Sequence, residues 1–255
     1  MSDHSDATTA YNQQFFSNIA GGSRRSAHRV LPVVFELSRV RSIVDVGCGT
    51  GAWLAAAMEL GVADVVGVDG AYVQRSQREI PAERFVEADL GGLTAAALGS
   101  HGAVGGRRFD LAMSLEVAEH LPEAAAAGFV SLLTSLAPMV LFSAAIPFQG
   151  GVGHQNEQFP SWWARHFASR GYVPLDVIRD RVWDDPSVEW WYRQNTILFV
   201  SSDHPAAGAP VSRGMLDRVH PAHYRRIVDW GMMHVNGTGR RWVSEEEGLR
   251  AWWPT

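Results

Sequence analysis

The stretch Ile43–Trp53, IVDVGCGTGAW, constrains this chain more than any other. Residues that favour extended backbone run straight into glycine. Gly47, Gly49 and Gly51 alternate with Cys48 and Thr50, and an alanine-rich segment follows. A strand that breaks into a glycine loop and continues as a helix is the opening unit of a nucleotide-binding α/β fold. The glycines let backbone approach a ligand with no Cβ in between, and loop N–H groups at a helix N-terminus face it. Counted from Gly47, the spacing G-x-G-x-x-A also matches the nicotinamide dinucleotide fingerprint. The loop alone therefore leaves the nucleotide open.

From this loop onward strands and helices alternate. Hydrophobic patterning predicts strands over Ile43–Val46, Val65–Asp69, Phe85–Asp89, Phe109–Leu115 and Met139–Ile146. It predicts helices over Ala52–Leu60, closed by Gly61, then Tyr72–Glu79 and Pro122–Ala137. The stretch Gly91–Gly106 is weakly patterned, with room for one short helix. Such alternation argues for a parallel sheet covered on both faces. The pattern then changes. Pro160–Arg170 predicts a helix closed by Gly171, and Tyr172–Arg179 and Thr196–Ser201 predict two strands joined only by a loop. Such a pair is most simply antiparallel.

Upstream, the four-residue spacing of Tyr11, Phe15 and Ile19 predicts a short helix stopped by Gly21-Gly22, and Ser26–Val40 a second one. Downstream, one helix is expected near Ala222–Trp230. The expected organisation is an N-terminal helical cap over residues 1–40, a nucleotide-binding domain over 41–201 and an extension over 202–255. The extension is a candidate lid or homodimer contact, because Trp230, Trp242, Trp252 and Trp253 need burial.

Composition removes several function classes. The net charge of the 255 residues is −5 with no long basic run, so a nucleic acid partner has no electrostatic support. The pairs Arg24-Arg25 and Arg107-Arg108 read as solvated surface. Phe129–Phe148 carries no charge, but Pro138 splits it into a buried helix and a buried strand, so no membrane span is expected. The N-terminus is polar and does not read as a signal peptide. A lone cysteine, Cys48, forms no intrachain disulfide, which suits a reducing, cytoplasmic setting.

Open α/β sheets bind ligands beyond the carboxyl ends of their strands. Asp69 ends the second predicted strand and is placed to accept the hydroxyls of a ribose, with Gly70 beside it. Asp89 ends the third and is placed for an adenine amino group. The fourth runs into Ser114, Glu116, Glu119 and His120, and the fifth into Gln149–Gln158. His120 is a candidate substrate contact, or simply introduces the next helix.

Taken in order, VDVGCGTG, VVGVDG, FVEADL and FDLAMSLEVAEHLP resemble the successive cofactor motifs of class I S-adenosylmethionine-dependent methyltransferases, over roughly residues 23–201. The helix–hairpin ending is similar to that family's Rossmann-like, doubly wound seven-stranded sheet, whose last strand is inserted antiparallel. The resemblance implies S-adenosyl-L-methionine as cofactor. It places Gly47, Gly49 and Gly51 under the methionine part, with Asp45 orienting the loop and helping to hold the amino group. Asp69 would hold the ribose, Asp89 with Leu90 the adenine, and Ser114 and Glu116 the region of the sulfonium. Arg25 and Ser26, between the predicted N-terminal helices, are candidates for the cofactor's carboxylate.

An alcohol attacking a sulfonium methyl needs a base. GGVGHQNEQFPSWW, residues 150–163, offers His154, with Glu157 or Asn156 to orient it or the substrate. The competing reading has Asn156 or Glu157 cap the helix that starts near Pro160. Before the last strand, EWWYRQN brings Trp191, Tyr192, Arg193 and Asn195 together. These residues suit a hydroxyl-rich ligand, or equally the packing of a sheet edge. No multi-ligand metal spacing is evident, and Asp184-Asp185 reads as a turn before Pro186. The expectation is O-methylation of a small acceptor, sugar-containing or a secondary metabolite, with His154 as base. N- or C-methylation, a nicotinamide-dependent oxidoreductase and a cofactor-binding module without catalysis remain open at this point.

Overall fold

The computed structural model describes residues 13–209 and 215–235. Tyr11, Trp242, Trp252 and Trp253 lie outside these residues. A compact unit runs to Asp217, and residues from Arg218 form a second unit. In the first unit, helix α1 (Gln13–Leu37) precedes strand β1 (Ser42–Val46), helix α2 (Ala52–Glu59), strand β2 (Asp64–Asp69) and strand β3 (Phe85–Glu87). Helix α3 (Ala95–Gly99), strand β4 (Leu111–Leu115), helix α4 (Ala126–Leu136) and strand β5 (Met139–Ser143) follow. The chain then forms helix α5 (Pro160–Ala168), strand β6 (Tyr172–Leu175), helices α6 (Val177–Val182) and α7 (Trp190–Asn195), and strand β7 (Ile197–Ser201). In the second unit, helix α8 (Pro221–Val235) is capped by His220, whose Nδ1 accepts the Ala222 N–H at 3.1 Å.

The seven strands form one sheet in the order β3-β2-β1-β4-β5-β7-β6. β7 runs antiparallel to both β5 and β6, and every other pairing is parallel. A second mononucleotide half is therefore absent, and the fold is the Rossmann-like one with a reversed strand. Alternate residues of each strand feed opposite cores, as a pleated sheet requires. Ile43, Val65, Leu111 and Leu198 face α1, α2 and α6, whereas Val44, Val66, Ala112 and Phe199 face α4 and α5. The uncharged segment after Phe129 is α4 followed by β5, and no described helix is long and apolar enough to cross a membrane.

Three local expectations are corrected. Among the described residues, Gln13–Leu37 is a single helix where two were expected, and Gly21-Gly22 lies inside it. Gly22 is there for close approach, because a Cβ on it would overlap the side chain of Glu189. Val30, Leu31 and Val34 of α1 are fully buried, so the helix is part of the core and not a separate cap. Tyr72–Glu79 holds only a short 3₁₀ turn, Arg75–Gln77, where a helix was expected. β6 and β7 are not joined by a plain loop, because α6 and α7 intervene.

The connection between β6 and β7 is pinned by Arg179. This side chain is 0% exposed and pairs with Asp176 through two hydrogen bonds, of 2.7 and 2.5 Å. Its remaining nitrogen donates to the carbonyls of Leu216 at 2.7 Å and Gln194 at 3.2 Å. Removing one partner of a buried pair leaves an uncompensated charge. Replacing Arg179 with methionine should cost about 3–5 kcal/mol, read from chemical denaturation. A smaller loss than about 1 kcal/mol would mean that the pair behaves as a surface pair.

Candidate functional site

The glycine loop between β1 and α2 is built by left-handed backbone. Gly47, Gly49 and Gly51 have φ values of 87°, 55° and 86°. A Cβ on Gly47 would overlap the Val117 side chain. One on Gly49 would meet nothing within 4 Å, so it would project into open space. Cys48 is packed beneath, and Gly67 leaves room for its sulfur: a Cβ there would lie 2.7 Å from Sγ. Burial pushes the Cys48 thiol well up, with Asp45 and Asp69 adding to the effect. Cys48 is a filler and not a nucleophile.

This loop forms one wall of a cleft of about 770 Å³, within the range of small-ligand pockets. Of the residues expected in the site, Gly47, Gly49, Asp69, Gly70, Asp89 and Leu90 line it on the loop side. Glu116 and His120 line the far end. Asp69 accepts the N–H groups of Gly49 and Gly70, each at 2.6 Å, and the hydroxyl of Tyr72. The Tyr72 ring lies against Gly70, where a Cβ would overlap it. Nothing in the spacing pointed to Tyr72. Asp89 lies just beyond the end of β3 and accepts the Gly91 N–H at 3.0 Å.

The remaining expected residues lie outside this lining. Asp45 is buried at 3% exposure below the loop. Burial, then the neighbouring Asp69, pushes its carboxyl up to about 7. Gly51 caps α2. Ser114 is fully buried, and its hydroxyl has no hydrogen-bond partner. Arg25 pairs with Glu189 at 3.0 Å at an exposed position. Ser26 is consumed structurally: it donates to the Gly22 carbonyl at 2.7 Å and accepts the Glu189 N–H at 3.0 Å. Arg24 and Arg107 are not free surface charges. Arg24 joins Glu59 and Glu79, while Arg107 pairs with Asp64. Glu79 also holds the Thr50 hydroxyl at 2.9 Å, so Arg24 braces the glycine loop from α1.

Glu116 follows β4 in a left-handed conformation, φ 57°. Its N–H donates to Ser143, and its carboxylate accepts Gln149 Nε2 at 2.9 Å and Asn195 Nδ2 at 3.0 Å. Asn195 is thus a clamp on Glu116. Tyr192, expected at the substrate, is core: it packs edge-on against Trp53 at 5.1 Å and bonds Ser23 at 3.0 Å. Burial pushes its phenol up to about 12. Trp191 packs against the same core, and Arg193 donates to the Trp183 carbonyl at 3.2 Å. These side chains of EWWYRQN are engaged with the core and with neighbouring backbone.

The loop after β5 folds onto the turn Ala118–His120. The N–H groups of Gln155 and Asn156 both donate to the Glu119 carbonyl, at 2.8 and 3.0 Å. Asn156 is buried, and its oxygen accepts from Gln158 at 3.1 Å. Glu157 does not cap α5, whose first flanking residue is Phe159. It accepts instead the N–H groups of Phe148 at 2.9 Å and Gly150 at 2.8 Å, and binds His154 Nδ1 at 2.8 Å. His154 meets His120 edge to face, with ring centroids 4.8 Å apart. Burial and the facing His154 lower His120 to about 4, so its imidazole is neutral at pH 7. Glu119, between these groups, is 1% exposed. Asp185 is held by Ser187 and Arg29, which lower it to about 2, as a turn residue.

Asp45 makes stability depend on pH. Its folded pKa lies above the unfolded value, so the folded chain keeps a proton that the unfolded chain has lost. That contribution is complete below the unfolded value of 3.8 and is lost as pH rises through about 7. Asp45→Asn should flatten the fall in unfolding free energy between pH 5 and pH 8, measured by denaturant titration. An unchanged slope would place the titration elsewhere.

A family model described as a methyltransferase domain matches residues 18–196. No curated protein matches the sequence. Among solved structures, an O-methyltransferase family protein from Burkholderia thailandensis is similar at 15% identity and a TM-score of 0.51. The match covers 77% of this chain and 62% of that one, so this chain spans less than two thirds of that protein's length. The sugar N-methyltransferase KedS8 from a Streptoalloteichus species is similar at 18% identity and a TM-score of 0.53, over 74% of this chain and 91% of that one. At these identities the structures testify to the fold, while the family match covers most of the chain. The chain belongs to the methyltransferase domain family.

Proposed function

We propose that the chain methylates a hydroxyl of a small acceptor, a sugar-containing molecule or a secondary metabolite, at the end of the cleft marked by Glu116 and His120. S-adenosylmethionine supplies an activated sulfonium methyl when bound. The residues present fit it. The open space over Gly49 admits a ligand against bare backbone, and Asp69 offers a buried carboxylate that already accepts a hydroxyl from Tyr72. In this reading Asp69 takes the ribose hydroxyls, with Gly70 beside it, and Asp89 with Leu90 faces the adenine. Asp45 holds the loop and favours the ammonium end.

The observation that carries the hydroxyl reading is the carboxylate-held imidazole beyond the cleft: His154 Nδ1 on Glu157 at 2.8 Å, packed against the cleft-lining His120. A carboxylate that orients a histidine fixes its tautomer and aims its other ring nitrogen. A neutral alcohol needs such help to attack, worth about 10²- to 10⁴-fold in rate. An amine that binds neutral needs little of it. His154 is therefore the group that makes the hydroxyl reactive by taking its proton, and Glu157 is its positioning residue.

Two measurements test this reading. His154→Ala should leave S-adenosylmethionine affinity within about threefold and lower kcat by about 10²- to 10⁴-fold on a hydroxyl acceptor. Full activity in that variant would remove His154 from the chemistry. Asp69→Ala should weaken S-adenosylmethionine by about tenfold or more, as loss of a charged hydrogen bond does. Equal affinity of the variant and the parent in calorimetry would overturn the ribose assignment.

A further inference from the structure

Beside His120 the chain brings together two imidazoles and a buried carboxyl group. Glu119, His120 and His154 each present one ligand atom, and these atoms lie within 4.8 Å of one another. Glu119 is buried, and neither of its carboxyl oxygens meets a side-chain hydrogen-bond donor among the described residues. Leaving a buried carboxylate without a counter-charge is costly unless something positive sits beside it. Around it the described charges are of the wrong sign. Glu116 and Glu157 are its charged neighbours.

We infer that Glu119, His120 and His154 bind one divalent first-row transition-metal ion. Two imidazoles and one carboxylate suit Mn²⁺, Co²⁺ or Zn²⁺ better than Mg²⁺ or Ca²⁺, which favour oxygen alone. The surroundings match what such a site requires. His154 carries a carboxylate on Nδ1, the usual partner that orients a metal-bound imidazole. Two backbone hydrogen bonds from Gln155 and Asn156 to the Glu119 carbonyl lock the His154 loop onto the turn that carries the other two ligands. With three protein ligands the ion keeps open positions, and His120 places it at the wall of the cleft. An acceptor oxygen bound there would give up its proton to solvent water more readily, because the cation would stabilise the alkoxide.

This inference rests on the cluster being the place where the acceptor is activated, and it alters the part of His154. With the ion bound, the imidazole is a ligand, and the cation does the work of lowering the hydroxyl pKa. The sequence concealed the site because His154 lies on a different loop from the adjacent pair Glu119-His120.

The experiment is metal titration of chelator-treated full-length protein. Co²⁺ is followed by its visible absorption, and Mn²⁺ and Zn²⁺ by calorimetry. One ion per chain is expected, with affinity weakened at least tenfold in Glu119→Gln, His120→Ala and His154→Ala. Glu157→Gln should weaken it about 10- to 100-fold, as loss of an orienting partner does. Asp69→Ala, across the cleft, should bind the ion like the parent. Glu119→Gln is isosteric, and its melting temperature without metal reports whether it folds. Parent protein that binds none of the three ions, or binding that survives in all three ligand variants, would overturn the site. A site that binds its ion while hydroxyl acceptors go unmethylated would instead overturn the proposed function and leave the site standing. Methyl transfer to a hydroxyl that is indifferent to chelation, with no ion bound, would do the reverse.

Discussion

The position of Glu116 governs how the two halves of the sheet meet. A non-glycine residue held at φ 57° is strained, and strain of this kind persists only where the surroundings over-determine it. Here they do. The N–H is tied to Ser143 at the end of β5, and the carboxylate is tied to Gln149 after β5 and to Asn195 at the end of α7. Asn195 also donates to Gln149 at 2.9 Å, which closes the network. One carboxylate therefore registers β4, the loop after β5 and the approach to the reversed strand β7. The cleft on one side of it and the histidine loop on the other inherit their positions from this knot.

The connection between β6 and β7 explains why an antiparallel strand fits there. α6 and α7 give the chain length to return, and the Arg179–Asp176 pair fixes how they fold back. Because Arg179 also reaches the Leu216 carbonyl, the start of the segment after β7 is drawn into the same unit. The boundary of the compact unit accordingly falls after Asp217 rather than directly after β7.

Much of this was legible in sequence because the relevant signals are local. The glycine loop, the acid at the end of β2 and the alternation of strands with helices are set by neighbours along the chain. What was hidden depends on contacts between distant segments. Gly22 reads as a helix stop until Glu189 is seen to occupy the space beside it. EWWYRQN reads equally as a ligand surface or as packing, and only the fold shows Tyr192 against Trp53 and Ser23 and Asn195 on Glu116. Glu157 reads either as the partner that orients His154 or as a helix cap, and only the fold shows it bonded to its own loop and to His154. In each case the residue type was informative and the partner was not, because side-chain partners are chosen by tertiary folding.

The Tyr72 hydroxyl on Asp69 has a thermodynamic consequence. The carboxylate in the ligand-free chain already receives two backbone N–H groups and a phenol. Under the proposed ribose assignment, a sugar hydroxyl arriving there would enter by exchange, so the number of hydrogen bonds on Asp69 would barely change. The enthalpy gained at that carboxylate should then be small, and affinity must come from surface removed from water elsewhere in the cleft. The phenol also keeps the empty carboxylate from facing solvent or ions unguarded. The chain thus carries a built-in placeholder that trades binding strength for a site kept in shape between turnovers.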